Sequence, residues 1–336
     1  MSTHGGLHWT NWVQDYMDGC DNPDFNDYRD DFNATDERFQ WLVYHLAELG
    51  QFHNGRILDI GCGFGWDAAA LSLAANTTVV ANDIRREMTS VVEQRSAAIR
   101  NSGADIKIET LTCDVCQIDL PPSSFDGIIS DEAIEHIHDL DALFKVCFRL
   151  LKPGRRAIFI NDSNALNRAL VKETEAYWKR RDADPQLIEE IKKTRPIENR
   201  DIQPYRLMRQ EIIQRANPKL DPASVHRIAT ATAGMAADEI EPIARTYKPG
   251  MNLPTPPRLS WCRNPVTKEY CERLLDPFEV AEQLVANGFS AKVRHGFRKW
   301  PLNMLNGIGL RWLNEALFNY RPFFIVVAIK PSVELP

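Results

Sequence analysis

The chain has 336 residues, 44% hydrophobic and 26% charged, the balance of a globular protein able to bury a sizeable core. Its formal net charge of -6 excludes a broad electrostatic attraction to nucleic acid or anionic membrane, and no apolar run reaches the roughly eighteen residues of a membrane span. The polar start, Met1 to Gly6, lacks the basic and apolar stretches of a signal peptide, and the seven cysteines without framework spacing predict reduced thiols in a cytoplasmic protein. Cys113 and Cys116 form one CxxC, but zinc needs a second pair, and Cys262 and Cys271 lack the usual spacing.

In chain order, an aromatic and acidic start (Trp9, Trp12, Tyr16, Phe25, Tyr28, Phe32) precedes a helix capped by Asn33 or Thr35. This helix carries Phe39, Leu42, Val43 and Leu46 at helical spacing and runs to Gly50. Short apolar strands then alternate with helices. Strands are expected over Arg56 to Ile60, Thr77 to Ala81, Ile106 to Leu111, Phe125 to Ser130 and Arg156 to Ile160. The helices between them cover Asp67 to Ala75, Arg86 to Asn101 and Leu140 to Leu151, the last ended by Lys152-Pro153-Gly154. Such alternation means a parallel sheet covered on both faces.

From Ser163 to about Leu275 the strands vanish, and helices broken by Pro185, Pro196, Pro204, Pro218 and Pro222 lead into a Pro-rich loop, Pro249 to Pro257. This stretch holds 20 Lys and Arg against 15 Asp and Glu, mildly basic on an acidic body. The sheet pattern resumes with a helix over Pro277 to Asn287, a strand over Phe289 to Arg294, a helix over Leu310 to Phe318 and a buried strand over Phe323 to Ile329. The expected organisation is an N-terminal helical lid or cap (1–50), an α/β core (51–162), a helical insertion that binds the acceptor (163–275) and the rest of the core (276–336).

The strongest chemical signal is Ile57-Leu58-Asp59-Ile60-Gly61-Cys62-Gly63-Phe64-Gly65, where the first strand hands over to a helix. Glycines there permit a sharp bend and close ligand approach, and the open amides of the next helix favour polar groups. Asp83 ends the second strand, where a carboxylate can accept both ribose hydroxyls. Asp114 follows the third and can accept from an adenine amino group, with Ile84 and Val115 flanking the ring. NAD fits less well: its G-x-G-x-x-G is not kept, Trp66 stands where Gly or Ala belongs, and Asp59 suits an amine rather than a pyrophosphate. S-adenosylmethionine carries both an amine and a sulfonium.

These residues, with the run from Phe125-Asp126-Gly127-Ile128-Ile129 to Leu151-Lys152-Pro153-Gly154, resemble the class I S-adenosylmethionine-dependent methyltransferases over about Arg56 to Asp162, and weakly over Asp276 to Lys330. The resemblance implies a doubly wound, mostly parallel seven-stranded sheet (a Rossmann-like α/β fold) with a helical insertion after the fifth strand. It implies that Asp59, Gly61 and Gly63 hold the methionine end of the cofactor, Asp83 the ribose, and Asp114 with Val115 the adenine. Cys62, Gly65, Trp66, Ile84, Cys113 and Asp131 complete the expected cofactor site.

After the fourth strand comes Ser130-Asp131-Glu132-Ala133-Ile134-Glu135-His136-Ile137-His138-Asp139. In one reading His136 is a general base oriented by Glu135. In another, Glu132, Glu135 and His136 hold a divalent metal such as Mg²⁺, with i and i+3 sharing one helical face; this E-x-x-E-H spacing resembles that of ubiquinone-pathway O-methyltransferases and small-RNA 2′-O-methyltransferases. In a third, Glu135 only braces the loop. Tyr177, Trp178, Tyr205, Arg206, Arg209, His226, Arg227, Trp261 and Arg263 are candidates to line the acceptor pocket, and the basic balance hints at an anionic acceptor. The sequence favours O-methylation of a small molecule or metabolite. The alternatives are a metal-assisted RNA 2′-O-methyltransferase, against which the acidic charge weighs, and a non-catalytic cofactor-binding protein.

Overall fold

The computed structural model describes residues 8–25, 29, 32–196, 199–297, 302–307, 311–321 and 323–332. Tyr28 and Leu310 lie outside them. Contacts divide the described residues into two compact units. One is drawn from Met1–Ile134, Asp139–Asp162 and Asp276–Pro336, the other from Glu135–His138 and Ser163–Leu275.

The first unit is built on a seven-stranded sheet. In chain order the strands are β1 (Arg56–Ile60), β2 (Thr78–Asp83), β3 (Ile108–Thr112), β4 (Phe125–Asp131), β5 (Leu151–Asn161), β6 (Ser290–Arg294) and β7 (Phe324–Ile329). Their spatial order is β3-β2-β1-β4-β5-β7-β6. β1 to β5 pair in parallel, and β7 runs antiparallel between β5 and β6. This is the doubly wound sheet the alternation predicted. Its strand order reverses at β1, and ligands of such sheets bind at the carboxyl edge beside that switch point. β7, Phe-Ile-Val-Val-Ala-Ile, is buried along its length, as a strand flanked on both sides must be.

The helices of this unit are α1 (His8–Asp18), α2 (Glu37–Gly50), α3 (Trp66–Ala75), α4 (Arg86–Asn101), α5 (Leu140–Leu150), α11 (Pro277–Ala286) and α12 (Arg311–Phe318), with α6 to α10 left to the second unit. α2 starts later than expected. Asp36 caps it by accepting from the Arg38 amide, while Asn33 and Thr35 bond to each other in the turn before it. The helix over Leu140–Leu150 ends where expected, but β5 starts earlier than expected, at Leu151, so that Lys152-Pro153-Gly154 lie within the strand. The β4–β5 register shifts between Phe125 and Gly127, the kind of irregularity that tolerates a strand proline.

The second unit holds α6 (Arg168–Ala183), α7 (Pro185–Thr194), α8 (Tyr205–Ala216), α9 (Pro222–Ala231) and α10 (Ala237–Thr246). Pro185 and Pro222 do not break helices but open them, each at the first turn, where a missing N–H costs nothing. Ile212, Ile213, Val225, Ile228, Ile240 and Ala244 form one core of this unit. Trp178, Tyr205, Cys262 and Leu274 form another.

Candidate active site

The glycine turn sits between β1 and α3. Gly61, Gly63 and Gly65 all have positive φ, at 69°, 48° and 77°. A Cβ on Gly61 would stand 2.3 Å from the Cβ of Ala133, and one on Gly65 would meet Val92 and the Tyr16 hydroxyl, so both are held by packing. At Gly63 a Cβ would meet no atom within 4 Å, leaving open space beside the bend. α1 braces the turn from outside: the buried Tyr16 hydroxyl donates to the Phe64 carbonyl at 2.8 Å, and Arg95 Nε donates to the Tyr16 carbonyl at 2.8 Å.

Carboxylates gather where the strands end. Asp59 is 2% exposed, and its Oδ2 is buried with no hydrogen-bond partner among the described residues. Burial, then the neighbouring Asp131 and Asp83, push its carboxyl up to about 8. Asp83 is fixed by two backbone amides, that of Gly63 at 3.0 Å on Oδ2 and that of Arg85 at 2.9 Å on Oδ1. Asp67, in the first turn of α3, is also buried and raised well above the ordinary carboxyl value, by burial and then by Asp131, Asp59 and Glu132. Its hydrogen bond to Asp131 requires one of the two carboxyls to keep its proton. Burial, then Asp59 and Asp83, likewise raise the Cys62 thiol.

Sequence reasoning missed Asp67, because an acid in a first helical turn reads as an ordinary partner of the helix dipole. It missed Asn82 too, whose buried side chain donates to the Leu111 and Cys113 carbonyls at 2.9 and 3.0 Å and so ties the end of β2 to β3. The alternation of β2 gives no signal for it.

The remaining expected residues fall around this edge. Ile84 is 56% exposed, an unusual state for isoleucine directly after Asp83. Asp114 accepts from the Cys116 amide at 2.9 Å and opens a 3-10 turn over Val115–Gln117, in which Val115 is buried. Cys113 is half-buried, and Cys116 donates its thiol to the Asp139 carbonyl. The Trp66 ring is engaged by Phe39 and Phe32, with centroids 5.6 and 6.4 Å away.

The run after β4 is not helical. Glu132 takes a left-handed φ of 48° and is exposed, Ile134 to His136 form a turn, and the shared helical face expected for Glu132 and Glu135 does not exist. Among the described residues no group of three or more His, Cys, Asp or Glu side chains can hold a metal ion, so the structure does not assemble Glu132, Glu135 and His136 into one.

Glu135 and His136 belong instead to the second unit. The Tyr270 backbone holds His136 at two points: His136 Nδ1 lies 2.9 Å from the Tyr270 carbonyl, and the Tyr270 amide donates to the His136 carbonyl at 3.2 Å. Nδ1 therefore carries the proton, and in the neutral ring Nε2 is free to accept one. The buried Glu135 carboxylate lies 3.7 Å from Nε2. Burial of the ring disfavours its charged form, but Glu135, the Tyr270 carbonyl and Glu272 outweigh it, so the imidazole sits above its ordinary value.

Of the proposed pocket-lining residues, several are spent on the interior. Trp178 is fully buried and donates to the Cys271 carbonyl at 2.8 Å. Arg209, also fully buried, pairs with Asp182 at 2.8 Å and donates to the Ala229 carbonyl, and Arg206 shares Asp182 at 3.0 Å. Arg263 pairs with Glu239. His226 and Arg227 do reach a groove of about 630 Å³, together with Thr230, Met251 and Leu253.

Residues 58–159 match the family model described as "Methyltransferase domain". The chain carries a class I S-adenosylmethionine-dependent methyltransferase domain. Among curated relatives, a sterol 24-C-methyltransferase of Aspergillus fumigatus is 30% identical over 114 residues, 33% of this chain and 29% of that one. A ubiquinone biosynthesis O-methyltransferase of Pseudomonas putida is 26% identical over 122 residues, 36% of this chain and 49% of that one. The chain thus spans less than half the length of either. A solved SAM-dependent methyltransferase of Methanosarcina mazei superposes over 83% of this chain and 94% of its own, with 17% identity and a TM-score of 0.42. The methyltransferase domain accounts for β1 to β5, and the matched stretch ends where the second unit's helical segment is about to begin.

The family implies S-adenosylmethionine as cofactor, and the crevice suits it on independent grounds. An unpartnered buried carboxyl at Asp59 asks for a cationic or amine ligand. The open side of Gly63 leaves room for one, and the exposed Ile84 offers an apolar face. Among the described residues no helix is long and apolar enough to cross a membrane.

Proposed function

We propose that this chain transfers a methyl group from S-adenosylmethionine to an oxygen of a small-molecule or metabolite acceptor, in the cytoplasm. One observation carries the cofactor half: Asp59 Oδ2 is buried, unpartnered and ringed by other carboxylates, an arrangement that costs stability unless a positive group enters. Asp59 and the backbone at Gly61 and Gly63 would hold the methionine end, Asp83 the ribose, and Asp114 with Ile84 and Val115 the adenine. The cofactor supplies an electrophilic methyl on a sulfonium. His136, its tautomer set by Tyr270, accepts the acceptor's proton at Nε2, and Glu135 steadies the imidazolium that results.

Support for a small acceptor comes from the relatives' names, which include sterol and ubiquinone-pathway methyltransferases, and from the acidic overall charge. Because those relatives include a C-methyltransferase, the oxygen rests on His136. Calorimetry with S-adenosylmethionine, S-adenosylhomocysteine and NAD tests the cofactor. Binding of the first two and not the third is expected, and the reverse would overturn the assignment. Labelled cofactor incubated with host extract then tests the acceptor: label in the low-molecular-weight fraction is expected, and label in RNA or protein refutes it. His136→Ala should lower turnover at least a hundredfold with cofactor affinity unchanged.

A further inference from the structure

We propose that Cys271 and Cys262 form a peroxide-reactive thiol pair, with Cys271 the attacking sulfur and Cys262 the resolving one. Both lie in the second unit, on a short antiparallel hairpin. The Cys271 amide donates to the Cys262 carbonyl at 2.8 Å, the Asn264 amide to the Glu269 carbonyl at 2.9 Å, and Arg263 bridges Tyr270 between them. Cys262 and Cys271 are therefore directly opposed across the hairpin with side chains on one face. For such a pair the Cα atoms stand about 5.5 Å apart, inside the roughly 4.4–6.8 Å that a disulfide spans. Both thiols are free, and the Cys262 thiol donates a hydrogen bond to the Cys271 sulfur.

A second observation sets this pair apart from the other cysteines. Arg181, 4% exposed, is close enough for its charge to act on both thiols. Its Nε and Nη1 are buried with no hydrogen-bond partner among the described residues, and the group lies 4.9 Å over the Tyr205 ring. A buried, under-satisfied cation beside a thiol favours the thiolate. The groups facing Cys271 are Cys262, Arg181, Glu272 and His136, with Tyr177 and Tyr205 beside them. The hydrogen bond from Cys262, and after it Arg181 and His136, outweigh burial and Glu272 and lower the Cys271 thiol to about 7. Burial instead raises Cys20, Cys62, Cys113, Cys116 and Cys147. Cys271 is partly buried, whereas Cys262 is fully buried.

The chemistry balances with a peroxide as oxidant. The Cys271 thiolate attacks one peroxide oxygen; the S–O bond forms, the O–O bond breaks, and hydroxide leaves and takes a proton. Cys262, losing its proton, then attacks the Cys271 sulfur; the S–S bond forms and the S–O bond breaks, releasing water. The pair is oxidised by two electrons and the peroxide reduced by two, and an external dithiol reverses the change. Closing this bond acts on the strand whose Tyr270 backbone holds His136, so the oxidation state reaches the imidazole.

The site is read in thiol chemistry alone, so it stands or falls separately from methyl transfer. The full chain is treated with hydrogen peroxide, alkylated, and digested with trypsin without reduction. Trypsin cuts after Arg263 and Lys268, so the two cysteines fall on separate peptides joined only by a disulfide. The expected result is a Cys262–Cys271 linked pair appearing before any other cysteine product, with two of the seven thiols lost and restored by dithiol. In Cys262→Ser, dimedone should trap a sulfenic acid at Cys271. Arg181→Gln should slow the oxidation about tenfold, one unit of thiol ionisation, and Arg181→Lys should restore most of the rate. Absence of the linked peptides in the wild-type chain, or faster oxidation of another cysteine, would overturn the proposal whatever the variants do.

Discussion

Cofactor binding should depend steeply on pH, because Asp59 must lose a proton to receive a cation. In the unliganded protein burial, Asp131 and Asp83 raise its carboxyl to about 8, so at pH 7 it is mostly neutral. A ligand amine or sulfonium prefers the carboxylate, and binding therefore expels a proton at any pH below about 8. Two units below that value only about one molecule in a hundred is ionised before binding. Affinity at pH 6 should then be roughly a hundredfold weaker than above pH 8, about 2.7 kcal/mol at 1.36 kcal/mol per unit. Isothermal titration of S-adenosylhomocysteine from pH 6 to 8.5 measures the slope. Repeating it in buffers of different ionisation enthalpy counts the proton, expected near one per site at pH 7. The demethylated product keeps the amine but not the sulfonium, so an equal slope for both ligands assigns the contact to the amine. A flat profile from pH 6 to 8 with no proton released would refute the role given to Asp59.

Asp59 carries a stability consequence of opposite sense. Its folded value is raised above the unfolded 3.8, so its contribution is fully present below about pH 4 and is lost as pH rises through about 8. Unliganded Asp59→Asn should therefore outlast the wild type at pH 8.5, by up to about 5 kcal/mol, in denaturant melts whose gap narrows toward pH 5; a variant weaker at both pH values would contradict this. At Gly63 an added Cβ meets no protein atom, so Gly63→Ala should cost only about 1–2 kcal/mol for its φ of 48° yet weaken cofactor binding at least tenfold. Equal affinity by calorimetry would mean the open space is not the ligand's. Arg209→Met leaves Asp182 buried with only the half-exposed Arg206, and should cost about 3–5 kcal/mol in a urea melt; a loss under 1 kcal/mol would show that the buried pair contributes little.

The sheet was legible because its signals are local. β-Branched and aliphatic runs such as Val79 to Ala81 and Phe324 to Ala328 can sit only in a covered sheet, and the glycine turn after β1 marks the switch point. Element starts were less legible where several residues compete for one role. Asn33, Thr35 and Asp36 can each cap α2, and the choice falls to the last because the first two satisfy each other. What stayed hidden is non-local. Nothing near Glu135 and His136 signals that residues 135–138 join a unit whose other members begin at Ser163, because the bond that decides it comes from Tyr270, 134 positions on. Trp178 and Arg209 read as pocket-lining for the same reason: their identity advertises chemistry, while their partners, the Cys271 carbonyl and Asp182, are invisible until the chain is folded.

The carboxylate cluster shows why a binding crevice can be read from a sequence when its proton inventory cannot. The positions of Asp59, Asp83 and Asp131 follow from strand ends, which periodicity locates to within a residue or two. Their charges follow from one another. Asp83 is satisfied by two amides and lies partly open; burial, then Asp131 and Asp83, raise Asp59, and Asp67 bonds Asp131 only if the two share a proton. Four acids in one crevice thus act as fewer than four charges until a cation arrives. In the proposed function an entering cationic ligand does more than find a complementary surface: it displaces the proton that burial keeps on Asp59. Binding energy is then set by the difference between two states of the cluster rather than by any single contact.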